Sequence, residues 1–473
     1  MSERIGRRAF LQSTAAAVVG AGAVRGRSGL GAGPSNVNVF NEPARQVPVV
    51  EQADVVICGA GPAGVAAAIA AGRLGAKTRL IESNGCLGGV WTAGLLSWIL
   101  DASNKTGLMQ EILQRLADRK ALAKYGSSLG YDCEQMKILL DQMCLAAGVK
   151  IRLHTRAVAA ARQSNRLSLA ITESKSGREA WQGKVFIDTT GDGDLAARAG
   201  CKFDYGREGT GQLQPLSLIA LLTGIQVDQV KPFVAGFQRG GTSAKDRLRA
   251  EMERAGVSPS YAHPTLFYIH HNLFCLMANH EYGVSAIDAA QITDATLRAR
   301  AEVHRLVDAL RSLGAPWQDV QIVATAEHIG VREGRRIHGR YTVSTQDLVD
   351  GARHEDAVCR VTFGVDVHSP DPGKTKAIER TGVRAKPYDI PYRALVAKDA
   401  DGLLMAGRCI SGDFLAHSSY RVTGNAVAMG EAAGVAAALA AKSGRLPHEI
   451  PWAEIAAARQ TIAPVKANRT EGT

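Results

Sequence analysis

The sequence has no Cys-x-x-Cys pair, no run of five basic residues and few aromatic side chains, and each shortage removes a class of function. Its eight cysteines stand at 58, 86, 133, 144, 201, 275, 359 and 409, the closest two being Cys133 and Cys144. Zinc ribbons, ferredoxin-type clusters and thioredoxin-type pairs lose their ligand spacing, so no metal is expected. The net charge is +11, yet no basic stretch is interleaved with aromatics, which argues against nucleic acid and leaves an anionic ligand or surface as what the charge suits. With 46% hydrophobic, 21% charged and 5% aromatic residues the composition is globular, and 473 residues give room for about three domains, or two with one split, at roughly 150 residues each. Glycine is abundant instead. The 50 glycines cluster beside apolar runs, where a backbone turns tightly or approaches a ligand.

Near the N-terminus the sequence reads Gly6-Arg7-Arg8-Ala9-Phe10-Leu11-Gln12, followed by a small, apolar stretch from Ser13 to Val24. This resembles a bacterial twin-arginine export signal, with Ala21-Gly22-Ala23 as the small-x-small cleavage pattern. Residues 1–23 are therefore expected to be a leader and 24–49 a linker rich in Gly, Pro, Asn and Arg. The leader carries +2 of the charge, leaving +9. The resemblance implies the twin-arginine machinery as a partner and a periplasmic or extracellular destination. Such proteins fold before export, in a reducing compartment, so free thiols are expected rather than disulfides.

From Ala53 the sequence ADVVICGAGPAGVAAAIAAGRLGAKTRLIE reads as strand, glycine turn, helix and strand. In this Gly59-x-Gly61-Pro62-Ala63-Gly64 turn, Gly59 permits the bend, Gly61 lets backbone approach a pyrophosphate and Gly64 lets the helix pack on the sheet. Glu82 ends the second strand, where its carboxylate can accept ribose hydroxyls. Two further apolar strands end in glycine, Lys184 to Gly191 and Gly402 to Gly407, and the latter is followed by the small-residue helix SSYRVTGNAVAMGEAAGVAAALA.

These segments resemble the FAD-dependent oxidoreductases of the glutathione reductase and succinate dehydrogenase superfamily, through the stretches ESNGCLGGVWTAG, IDTTGDGDLAARAG, IGVREGRRIHGRY, IPYRALV and LLMAGRCIS. The resemblance implies an α/β fold in which a Rossmann-like, three-layer FAD domain with a parallel sheet is assembled from separate pieces around an inserted α+β substrate domain. The expected division is 50–206 and 400–443 for the FAD domain, 207–399 for the substrate domain and 444–473 for a tail. The likeness also implies that Gly88, Gly89, Thr92 and Gly191 lie along the cofactor and that Ala157, in Thr155-Arg156-Ala157-Val158, offers backbone to the adenine. Gly424 and Asn425 would start a helix aimed at the flavin pyrimidine. Arg408 stands where many relatives carry an acid for the ribityl chain. Either Asp413 substitutes for that acid or Arg408 neutralises phosphate.

For the substrate side, Val361, Phe363, Val365 and Val367 alternate with polar residues, placing Asp366 and His368 on one face of an expected strand. The pair reads as a base and its orienter, or as a solvated polar face. Arg332 belongs to a cluster with Arg335, Arg336 and Arg340 that suits carboxylates or phosphates, or ordinary surface pairing. His417 and Arg421 precede the flavin-directed helix, in the region the resemblance places over substrate and flavin. Gly126-Ser127-Ser128-Leu129-Gly130 matches the G-x-S-x-G of serine hydrolases, but the preceding EILQRLADRKALAKY is charged at helical spacing and supplies no apolar strand for a nucleophile elbow.

The expectation is an exported FAD enzyme passing a hydride between a small polar substrate, anionic or carbohydrate-like, and flavin N5, with a redox protein, quinone or oxygen as electron acceptor. A reductase of unsaturated acids and a non-catalytic flavoprotein subunit are the alternatives. Replacing Arg7 and Arg8 together with lysine should hold the precursor in the cytoplasm, because the export receptor reads paired guanidinium groups. Fractionation checks this, and unchanged export of the double variant refutes it.

Overall fold

The computed structural model describes residues 39–125, 128–237 and 242–462; the expected leader at 1–23, residues 24–38 of the expected linker, Gly126 and Ser127, residues 238–241, and residues 463–473 of the expected tail lie outside them. Residues 39–46, the described part of the unit Met1–Gln46, carry no helix or strand and are exposed. From Val47 onward the chain is a second compact unit.

Its centre is a seven-stranded sheet. Lys150–Arg152, Thr78–Ile81, Val49–Cys58 and Gly177–Asp188 lie side by side in parallel. Leu403–Met405 joins the same sheet in parallel at Phe186 to Asp188, although it is more than two hundred residues away in sequence. Gly177–Asp188 is long enough to serve two neighbours. Its first half pairs antiparallel with Arg166–Ser174, which pairs in turn with Arg156–Gln163. Val55, Val56 and Ile57 are fully buried, the continuous apolar pattern of a strand covered on both faces. The fold is mixed α/β with a parallel-rich, Rossmann-like sheet.

The helix Pro62–Arg73 starts with proline in its first turn, where a missing N–H is tolerated, and buries every residue from Ala63 to Ala71. Its cover is the helix Thr423–Ser443. That helix is long and apolar enough to cross a membrane by length and composition, but 94% of its apolar window is buried inside the protein. Gly430 and Gly434 face the carbonyls of Ala63 and Ala67, and a Cβ at these positions would lie 2.0 Å and 2.2 Å from those oxygens. Small residues on both helices thus set their separation.

The middle of the chain builds a four-stranded antiparallel sheet in the order Thr265–His270, Leu273–Met277, Ala220–Thr223, Gln321–Thr325. The long helix Ala289–Ser312, capped by Asp288, packs Val303, Leu306, Val307 and Leu310 into a second apolar core with Leu222, Phe274 and Trp317. The expected strand through His368 is shorter than its alternation suggests. The ladder Ala357–Val361 with Tyr388–Pro391 stops at Val361, and His368 rejoins a partner only through a bridge to Ile378. Beyond the ladder, backbone groups are taken by other partners: Asp366 N–H donates to Ser418 O, and His368 N–H to Gln214 Oε1.

The main-chain trace also answers the hydrolase motif. Ser128 opens the strand Ser128–Tyr131, hairpin-paired with Leu122–Tyr125, so no strand-to-helix elbow forms there. Gly430→Ala should lower the unfolding free energy by roughly 1 to 3 kcal/mol, the usual scale of overpacking. A urea titration reads this as a lower midpoint at unchanged slope.

Candidate active site

A single cavity of about 530 Å³ runs from the glycine turn to the antiparallel sheet. At one end it is lined by Gly59, Gly61, Pro62 and Ala63 of the turn, by Glu82, by Arg156 and Ala157, and by Gly89 and Gly191. Glu82 is 4% exposed, and its carboxylate accepts the Ala60 N–H at 2.6 Å and the Asn84 N–H at 2.8 Å. The acid therefore ties the end of the second strand to the glycine turn while still facing the cavity.

Gly61 and Gly64 are glycines for different reasons. A Cβ at Gly64 would lie 1.9 Å from Gly59 O, so the turn and helix close on each other there. A Cβ at Gly61 would meet nothing within 4 Å, and the residue's φ of −66° is open to any amino acid. Nothing in the protein demands glycine at 61. An open position of this kind would let a pyrophosphate touch backbone, and the helix it precedes has no side-chain cap and no acid in its first turn to compete for that charge. The helix Thr423–Ser443 also opens on the cavity, through Val422, Thr423 and Ala426. It too lacks a side-chain cap, and Thr423 Oγ1 is buried without a partner. These features fit a bound FAD.

The inner end carries charge. Asp366, His368, Arg332 and Arg421 all line the cavity, with Lys245 and Tyr261. Arg421 Nη2 donates to Asp366 O at 2.7 Å and lies 3.5 Å from its carboxylate, while Nη1 donates to Arg332 O at 3.1 Å. His368 Nε2 sits 3.4 Å from the same carboxylate. Although burial pushes the other way, His368, Arg421 and Arg332 together hold Asp366 well below the usual carboxylate range. Burial, reinforced by Arg332 and Arg421, pulls His368 down to about 3 against the opposing pull of Asp366. Arg332 donates to Pro215 O at 2.7 Å, and among the described residues no carboxylate lies within 4 Å of it. Burial and the neighbouring Arg421 lower it to about 10.

Several residues singled out in the sequence stand elsewhere. His417 is fully buried, edge-on to Tyr420 at 5.5 Å, and does not line the cavity. Burial and the cations Arg421, Arg336 and Arg408 hold it neutral. Thr92 turns its hydroxyl to Leu87 O and lines a separate cavity of about 340 Å³ together with Cys86. Gly88 gives its N–H to Ala60 O beneath the turn. Gly424 packs on the backbone of Leu100 and Asp101, and the amide of Asn425 is fully buried behind the helix start with neither polar atom paired. Asp413 caps the helix Phe414–Tyr420 and binds the Thr345 hydroxyl at 2.8 Å. Arg408 lines the cavity, paired with Asp192 at 3.0 Å. All eight cysteines are free.

Lys245, Tyr261 and His328 line the cavity without having been singled out. They come from a helix start and loops with no motif, and only their charge or aromaticity marks them.

A parallel sheet with a glycine turn at its centre, an acid closing the next strand and two uncapped helix starts on one elongated cavity define a dinucleotide-binding flavoprotein fold. The family described as FAD dependent oxidoreductase matches residues 54–460, and the chain belongs to it. It is an FAD-dependent enzyme. Among solved structures it is similar to a geranylgeranyl bacteriochlorophyll reductase-like protein from Thermoplasma acidophilum, at 13% identity and TM-score 0.44 over 87% of this chain and 83% of that one. It is also similar to the p-nitrophenol 4-monooxygenase PnpA from Pseudomonas putida DLL-E4, at 12% identity and TM-score 0.44 over 84% and 82%. No curated protein matches it in sequence.

Because Gly61 faces open cavity, Gly61→Val should fold with the thermal stability of flavin-free wild type yet purify without flavin absorbance. A yellow Gly61→Val protein would remove the pyrophosphate from this position.

Proposed function

We propose that the protein is an exported oxidoreductase that moves a hydride between a small anionic, polar substrate and FAD, with His368 carrying the proton and Arg332 holding the substrate's negative group. The observation that carries this reading is the inner wall, where three cations, Arg332, Arg421 and Lys245, face one carboxylate, Asp366, in the cavity that begins at the glycine turn. When bound, FAD supplies a two-electron hydride acceptor or donor at N5.

The residues divide the remaining work. Arg421 is engaged with Asp366 and two carbonyls, so it orders the wall. Among the described residues Arg332 donates to a carbonyl and to the Met277 sulfur, 3.7 Å away, and a planar guanidinium so placed suits a carboxylate or phosphate from outside the protein. His368 is neutral, so its imidazole can take a proton where an imidazolium could not. Asp366 beside Nε2 stabilises the charge that then forms. Export is supported by Arg7-Arg8 and the apolar stretch behind them, and a redox protein, quinone or oxygen is the electron acceptor that an exported enzyme meets.

An anaerobic titration against hydroxy acids, sugars, polyols and enoates tests the substrate class. Bleaching of the flavin band by anionic compounds and not by neutral sugars is expected, and the reverse order of response refutes the anion site. With a compound that bleaches the flavin, His368→Ala should slow reduction on the order of a hundredfold, the usual scale of acid–base catalysis, while His417→Ala keeps the wild-type rate. The sign of the His368 shift sets the pH profile: a group pulled down to about 3 stays neutral as the pH falls. Reduction should therefore not decline through about pH 6.5, where a free histidine would protonate. A rate that falls with that midpoint assigns the proton to a different group.

A further inference from the structure

His368 is not the end of its hydrogen-bond chain. Its Nδ1, on the far side from Asp366, lies 2.9 Å from Nε2 of His280, and His280 Nδ1 lies 3.0 Å from the hydroxyl of Tyr282. His368 and His280 are 5% and 3% exposed, whereas Tyr282 is half-buried, so the series leads from the cavity wall toward solvent. Tyr261 stacks on both imidazoles, with centroids 4.2 Å from His280 and 5.4 Å from His368. The loop before the antiparallel sheet fixes the outer half. Ser260 takes the His280 N–H on its hydroxyl at 2.8 Å and the Tyr282 hydroxyl on its carbonyl at 3.3 Å, and the carboxylate of Glu302 holds Ser260 through two bonds of 2.7 Å.

We propose that His280 and Tyr282 form a relay that carries the proton handled by His368 between the cavity and solvent. This rests on the reading of His368 as the proton carrier. Imidazole and phenol both donate and accept, which the flanking arginines cannot, since a guanidinium keeps its protons. Packing alone does not account for the pair. Two buried imidazoles must each find fixed partners for both ring nitrogens, a requirement an apolar pair filling the same space would not have.

The atoms balance in one direction as follows. His368 Nε2, whose proton faces Asp366, gives that proton to the cavity, His368 Nδ1 takes the proton on His280 Nε2, His280 Nδ1 takes the Tyr282 hydroxyl proton, and the Tyr282 oxygen takes one from water. One proton moves, no electrons do, and uptake by the reverse sequence restores the starting tautomers. Each group starts neutral: burial pushes the Tyr282 phenol up to about 12, and burial with Arg332, His368 and His263 nearby pulls His280 far below the usual histidine range.

The test uses deuterium from D2O as its probe. In the FAD-bound protein labelled with 15N-histidine, exchange of the His368 ring proton is followed by NMR in wild type, Tyr282→Phe and His280→Gln. Loss of the relay should slow exchange in both variants by about tenfold or more, whereas loss of a packing role loosens the loop and speeds exchange by local opening. Faster or unchanged exchange in Tyr282→Phe overturns the relay, and that variant removes one hydroxyl from a half-buried ring. The two readings fail separately. A wild-type rate of flavin reduction in His368→Ala refutes the proton carrier, while slow reduction in His368→Ala with unchanged exchange in Tyr282→Phe refutes the relay alone.

Discussion

The contact on which the structure depends is between two helices whose sequences lie more than three hundred residues apart. Pro62–Arg73 must press its alanine surface on the sheet and still admit Thr423–Ser443 close against it, and this is possible because Gly430 and Gly434 meet the carbonyls of Ala63 and Ala67 with no side chain between them. The contact fixes more than stability. The N-terminus of each helix opens on the cavity, so the separation set by four small residues also sets how far apart the two uncapped ends stand. A cofactor that touches both ends reads that distance. The same closeness explains why Leu403–Met405 can rejoin the sheet next to a strand formed so much earlier.

The cavity joins two kinds of wall. At the glycine turn, recognition is by backbone: N–H groups, a glycine left open and an acid bonded to the turn it supports. At the inner end it is by side chains whose charges do not cancel. Burying arginines without full pairing is unfavourable, and such an arrangement persists where a ligand completes it. Arg421 is satisfied internally and Arg332 much less so, and this inequality distinguishes an ordering role from a binding role within one cluster. His368 stands where the two kinds meet, neutral because burial, reinforced by the neighbouring arginines, outweighs its single carboxylate.

How much of this was legible in the sequence follows from how local each signal is. The unit from Ala53 to Glu82 is contiguous, its glycines have separate steric tasks, and its strand, turn and helix appear where the spacing places them. Asp366 and His368 share a side because alternate residues along extended chain do so even where the ladder has ended at Val361. His417 shows the limit: a position next to the flavin-directed helix says nothing about which way the ring turns, and here the first turns of Phe414–Tyr420 bury it against Tyr420. Thr92 and Gly424 likewise stand close to the cavity in sequence and spend their atoms on the protein. Tyr261, His280 and Tyr282 carried no pattern at all, because their meeting with His368 is made by the antiparallel sheet and the Ser260 loop, which no local period encodes.

That meeting has a consequence for how the site can work. A flavin held in this cavity would be shielded from water, which under the proposed reading favours hydride transfer and hinders the exchange of protons that must accompany it. A site dry enough for the first step therefore needs a fixed route for the second. Arginines can hold an anion at the inner wall but cannot release a proton, and Asp366, kept ionised by its cations, takes one up poorly. Of the groups on that wall, His368 combines a neutral imidazole, able both to donate and to accept, with a neighbour of the same kind pointing away from the cavity. Under the proposed reading, the burial and the arginines that suit the pocket to an anion also keep His368 neutral and able to move protons.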